Sequence, residues 1–205
     1  GDWNRTYLGD FKIQTGMLKY YQYQALDLAF DYTTNTLYGL TDEDGRPGYN
    51  KPPHLVTIDY LTGKVEDVGV VSFPDGSQGM TLACDNDGIL YTINYTTGEL
   101  YTISKTPEQV NGINTVMATL IGPTGYVPQY WQAMTVDHET NKLYWAAYQG
   151  YLGKSVFYEA DKTTGQLTEV STMHQNANLS ALFKPYHGDT PLFPENEPVT
   201  GLLLN

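Results

Sequence analysis

The residues that could do chemistry in this chain are few, and most of them are acids. Asp27, Asp31, Asp85 and Asp137 sit in short apolar runs, where a ring of carboxylates could serve a hydrolase or lyase, but the last three recur at one repeat position and read as caps of the turns that follow. Two acidic turns, Asp42-Glu43-Asp44-Gly45 and Asp85-Asn86-Asp87-Gly88, offer the hard oxygen ligands that Ca²⁺ takes. Neither fits an EF-hand loop: counted from Asp85, the sixth position is Leu90 where glycine is required. Ca²⁺ therefore has no motif behind it, and no cofactor is expected. His54, His138, His174 and His187 lack the short spacing of a zinc site and are expected at the solvated surface. Cys84 lies in an apolar run, which predicts a buried structural thiol, and no G-x-S-x-G elbow accompanies it.

Aromatic side chains form the other chemically capable set. Tyr126, Tyr130 and Trp131 precede one repeat, and Trp145, Tyr148 and Tyr151 fall inside it. Flat apolar faces with a polar handle suit sugar rings or a protein partner. Packing between sheets is the favoured role for Trp131 and Trp145, whereas Tyr126, Tyr148 and Tyr151 are expected in exposed loops. The insert Thr41–Pro53, with Arg46 and Tyr49, is a second candidate binding loop.

The elements that position these residues follow from self-similarity. LDLAFDYTTNTLYGL (26–40), MTLACDNDGILYTI (80–93) and MTVDHETNKLYWAA (134–147) each join an apolar strand, an aspartate, a polar turn and a Leu-Tyr that opens a second strand. The aspartates recur at intervals of 54 and 52 residues. The second halves repeat as well: LVTIDYLTGKV (55–65), LYTISKT (100–106) and VFYEADKTTGQL (156–167). β-branched and aromatic residues alternate around Asx- and Gly-containing turns, and no segment carries helical periodicity. The prediction is all-β. Four short strands about every 50 residues read as blades of a β-propeller, at about 25–71, 79–122 and 132–173. Residues 1–24 and 179–190 would supply a composite or partial fourth blade. The competing reading is a fragment of a larger propeller.

Composition narrows the function classes. The 205 residues carry a net charge of −12, which disfavours a nucleic-acid partner. No apolar run approaches the length of a membrane span, so no membrane insertion is expected. The tail PVTGLLLN (198–205) follows a polar, proline-containing stretch, and 191–205 reads as a linker into a following module of a larger polypeptide. Sequons occur at Asn4, Asn94 and Asn178 and would mark surface positions in a eukaryotic source.

Together, the repeat strings and the tail resemble the YVTN- or WD40-like repeat region of Firmicutes cell-surface proteins that carry bacterial Ig-like group 2 domains. The resemblance covers about 25–205 and implies an extracellular or cell-surface location. It supplies no catalytic residues. The expectation is a non-catalytic binding or adhesion module, taking a host or cell-wall glycan or protein through propeller loops. The alternatives are an accessory domain of a secreted peptidase, or a propeller hydrolase or lyase acting on a polysaccharide or lactone.

Overall fold

The computed structural model describes residues 24–42, 52–129, 132–149, 153–173, 177, 179 and 181–184. Within them every regular element is a strand, so the protein is all-β.

Three antiparallel meanders follow one another. The first is β1 (Gln24–Asp31), β2 (Thr36–Asp42), β3 (His54–Ile58) and β4 (Val65–Ser72). The second contains β5 (Ala83–Cys84), β6 (Leu90–Ile93) and β7 (Glu99–Ile103), then a short β8 (Glu108–Val110) folded back on β9 (Ile113–Pro123). The third is β10 (Ala133–Asp137), β11 (Lys142–Gln149), β12 (Lys154–Ala160) and β13 (Leu167–Thr172). Val70, Val71 and Ser72 of β4 pair in parallel with Thr115, Val116 and Met117 of β9. That contact merges the first two meanders into a nine-stranded sheet, and the third forms a separate four-stranded one.

The turns repeat because their chemistry repeats. Asp59, Asn94 and Asp161 each open an Asx-x-x-Thr-Gly turn, in which one side-chain oxygen accepts the amides two and three residues on. The closing glycine donates back to the Asx carbonyl each time, from Gly63, Gly98 and Gly165. The bend after the first strand of each unit needs a left-handed residue. Asn35 (φ 54°), Gly88 (φ 75°) and Asn141 (φ 56°) provide it, residue types that tolerate that region with little strain.

The core lies between units. Tyr38, Leu40 and Leu55 pack with Leu82, Leu90 and Tyr101, joining the first unit to the second. Tyr91, Ile93 and Leu100 pack with Val136, Leu143 and Trp145, joining the second to the third. Each fully buried large apolar side chain contributes roughly 1.5–3 kcal/mol, so the sheets hold one another by stacking. Cys84 is buried in the first of these clusters, and burial pushes its thiol up to about 12.

Candidate functional site: the junction of the three first strands

The strands that open the units, β1, β5 and β10, meet one another, and the residues with chemical potential gather at their ends. At the far end of each strand stands the repeated aspartate. Asp31 Oδ1 accepts the Thr33 amide and hydroxyl at 2.8 and 2.6 Å. Asp85 Oδ1 takes the amides of Asp87 and Ile89, and Asp137 Oδ1 that of Glu139. Their second role comes from lysines of the following segment. Lys105 reaches Asp31 at 2.7 Å, Lys162 reaches Asp85 at 2.8 Å, and Lys184 reaches Asp137 at 2.5 Å.

These pairs set the local electrostatics. Burial raises the Asp31 carboxyl, but Lys105 and the hydrogen bonds from Thr33 and Thr34 outweigh it and hold the group at about 2. For Asp137 the hydrogen bond from Lys184 leads, again giving about 2. Asp85 is also lowered, burial being overcome by Lys162, the Ile89 amide and the Tyr91 hydroxyl. Lys105 and Lys162 lie over the rings of Tyr38 and Tyr91, at 6.0 and 5.8 Å from the centroids. These tyrosines belong to the Leu-Tyr pair that recurs in the sequence.

Asp27 differs from the other acids. It sits on β1 beside a bulge, opposite Leu40 of β2. Its Oδ2 accepts the amides of Leu82 at 2.9 Å and Met134 at 3.4 Å, and its Oδ1 that of Leu28 at 2.9 Å. Burial dominates the three amide bonds and lifts the carboxyl to about 8. The first strands border a half-open pocket of about 70 Å³, lined by Leu28, Leu82, Met134 and Val136 together with Tyr32, His138 and Lys184. His138 lies edge-on to Tyr32 at 4.5 Å, and its Nδ1 is 2.6 Å from Asn86 Oδ1. Burial holds the imidazole below its ordinary value.

The aromatic candidates separate. Trp145 is fully buried, in the packing role favoured for it and away from any ligand surface: it shares a face of β11 with Leu143 and Ala147, inside the core between the second and third units. Tyr126 is half-buried rather than exposed. Its ring stands edge-on to Trp145 and Tyr158, both at 5.5 Å, and burial raises its phenol. Tyr148 is half-buried on β11, and its carbonyl accepts the Gln129 amide at 2.9 Å. Tyr130, Trp131, Tyr151, Arg46 and Tyr49 lie outside the described residues.

Other expectations change too. His54 is buried on β3, 3.0 Å from Asp67, and is not a solvated surface residue. The sequon residue Asn94 is likewise buried, its side chain spent on its own turn and on Ser77, so it does not mark a surface position. His174 and His187 fall outside the described residues, as do Glu43, Asp44 and Gly45 of the first acidic turn. Among the described residues no group of three or more His, Cys, Asp or Glu could hold a metal ion.

Sequence reasoning missed Lys105 and Lys162. The signal was present, since each lies one residue beyond the third strand's last apolar-polar pair, in ISKT and EADKT.

No protein-family model matches the chain. No curated protein matches it in sequence. Among solved structures it is similar to a luciferin-regenerating enzyme, at 16% identity and a TM-score of 0.45 over 72% of this chain and 45% of that one. It is also similar to the hydrazine synthase of Kuenenia stuttgartiensis, at 14% identity and a TM-score of 0.45 over 77% of this chain and 38% of that one. The chain spans less than half the length of either. Likeness at this level carries no argument about its chemistry.

Proposed function

We propose that this chain is the β-propeller part of a larger extracellular or cell-surface protein, with about four blades of four strands, and that it is a non-catalytic binding module. In this reading each meander is a blade, the first strands line the axis, and residues 1–24 and 179–190 belong to a fourth blade. The occupant of its loops is a glycan or a protein. The resemblance to the repeat regions of Firmicutes surface proteins suggests a host or cell-wall ligand.

One observation carries the proposal. The three units share an antiparallel meander, an Asx-x-x-Thr-Gly turn and an aspartate–lysine pair, yet their connections differ: that turn joins third to fourth strand in the first and third units but β6 to β7 in the second, and residues 43–53 and 150–153 join second to third strand in the other two. The repeated acids are spent on turns and on neighbouring units. The connections that differ are loops, the places where a rigid scaffold carries recognition. The aromatic-rich segment 124–132, leading into β10, carries residue types that suit sugar rings or a protein hot spot.

A glycan array and a pull-down against host and cell-wall proteins test this. Saturable binding should appear and weaken about tenfold or more in Tyr148→Ala or Trp131→Ala, as expected for an aromatic anchor. If binding is absent, or indifferent to both substitutions, the reading fails.

A further inference from the structure

We propose that Asn111 is a self-modifying site: the Gly112 amide displaces ammonia from its side chain, and the isoaspartyl product unlatches β8 from β9. Asn111-Gly112 is the one Asn-Gly pair in the sequence. It forms the two-residue tip of the β8–β9 hairpin, beyond the pairing of Val110 with Ile113 that closes the ladder. Asn111 (φ 51°) and Gly112 (φ 78°) are both left-handed, as a tip of this length requires.

The chemistry needs no other side chain. The Gly112 nitrogen bonds to Asn111 Cγ as its proton passes to solvent, and the Cγ–Nδ2 bond breaks to release ammonia. Both reacting groups belong to adjacent residues, so the ring closes without a bimolecular encounter. Water then opens the five-membered imide at one carbonyl or the other. One opening leaves aspartate. The other leaves isoaspartate, in which the main chain runs through the former side chain and gains a methylene. Either way a neutral amide becomes a carboxylate.

Surroundings single this residue out. Asn111 and Gly112 are exposed, and a Cβ on Gly112 would meet nothing within 4 Å, so the approach to its nitrogen is open. Asn35 (φ 54°) and Asn141 (φ 56°) share the backbone conformation, but Thr36 and Lys142 follow them, and a side chain on the next residue hinders the attacking nitrogen. An aspartate before glycine reaches the same imide by losing water. At Asp87-Gly88 the space is taken, since a Cβ on the glycine would lie 2.7 Å from Thr33 Oγ1. At Asp75-Gly76 the carboxylate is held by the Ser77 amide at 3.1 Å and by the Ser77 hydroxyl. Asp44-Gly45 lies outside the described residues.

The consequence falls on β8. Glu108, Gln109 and Val110 are exposed, and they pair with Thr115, Asn114 and Ile113 of β9. So short a ladder opens readily, which lets the tip rotate into the reactive geometry. Two left-handed residues set the hairpin's register, and an added main-chain methylene cannot keep it. β9 itself stays in place through β4 and β7.

Ageing the full chain in neutral buffer and mapping its peptides tests the site. Conversion should concentrate at Asn111, with isoaspartate among the products, while Asn35 and Asn141 stay intact. Hydrogen exchange on the aged protein should show protection lost in β8 and kept in β7. Asn111→Gly retains a tip that suits two left-handed residues and should keep β8 protected on ageing. Conversion no faster at Asn111 than at Asn35 or Asn141 overturns the proposal, and so does isoaspartate at position 111 with β8 still protected. Because all three asparagines are read in the same molecule, the comparison decides even if Asn111→Gly fails to fold.

Discussion

Lys105, in the segment after β7, closes on Asp31 at the end of β1 with a 2.7 Å ion pair between two different units. The carboxylate is fully buried, whereas the lysine keeps about a quarter of its side chain in water (27%). Asp31 thus serves two purposes at once. Its Oδ1 fixes the bend from β1 to β2, and its Oδ2 receives the neighbour's ammonium. Asp85 with Lys162 repeats the arrangement one unit on, ring contact included. A residue type that looks like a local turn former is therefore also the means by which each unit recognises the next.

Removing the lysine should cost more than removing the pair. Lys105→Met leaves a buried carboxylate without its counter-charge, and the expected loss is about 2–4 kcal/mol, at the lower end because the lysine is partly solvated. Asp31→Asn combined with Lys105→Met should be less destabilised than Lys105→Met alone, since the amide keeps its bonds to the turn and no charge is stranded. Urea unfolding of the three proteins measures this. A double variant at least as destabilised as Lys105→Met alone would mean that the stranded charge is not what costs stability.

Acid should expose the same pair. The folded pKa of Asp31, about 2, lies below its ordinary 3.8. Its contribution is therefore complete above 3.8 and disappears as the pH falls through about 2. Asp137 follows the same course beside Lys184. In Lys105→Met the effect of burial is left less opposed, so the Asp31 pKa rises and the loss begins at higher pH. Acid titration followed by far-ultraviolet circular dichroism should show the midpoint move upward in that variant. An unmoved midpoint would show that Thr33 and Thr34 hold the carboxylate down without help.

Strands and turns were readable because both are written locally. A period of two marks the strands, and Asx-x-x-Thr-Gly supplies its own hydrogen bonds within five residues. The inward position of Trp145 was also legible, since Leu143 and Trp145 alternate with Lys142 and Tyr144 at the start of KLYWAAYQ. The importance of Asp27 was not. In LDLAFD it looks like one more strand acid, and its partners become neighbours only once the three units have stacked. The aspartate–lysine pairs fall between these cases: the lysines recur visibly, but which aspartate each one meets depends on how the units are offset. The burial of His54 has the same origin, because the register that sets it against Thr41 and Val70 is a property of the assembled sheet.

The closeness of that stacking predicts a sensitive glycine. A Cβ on Gly122 of β9 would run into the carbonyl oxygen of Thr164, in the turn between β12 and β13, and one on Gly165 would lie 2.6 Å from the Gly122 carbonyl oxygen. Both obstacles are backbone, which cannot rotate aside. Gly122 carries no positive φ, so Gly122→Ala tests the close approach alone, whereas Gly165 (φ 77°) adds backbone strain. We expect Gly122→Ala to cost about 1–3 kcal/mol, the range of an overpacked contact. The damage should be directional. Hydrogen exchange should quicken in β10 to β13, which the clash pushes away, while β1 to β4 keep their protection. Equal acceleration in both sheets would mean that the second and third units do not meet at this point, and that the stack is held elsewhere.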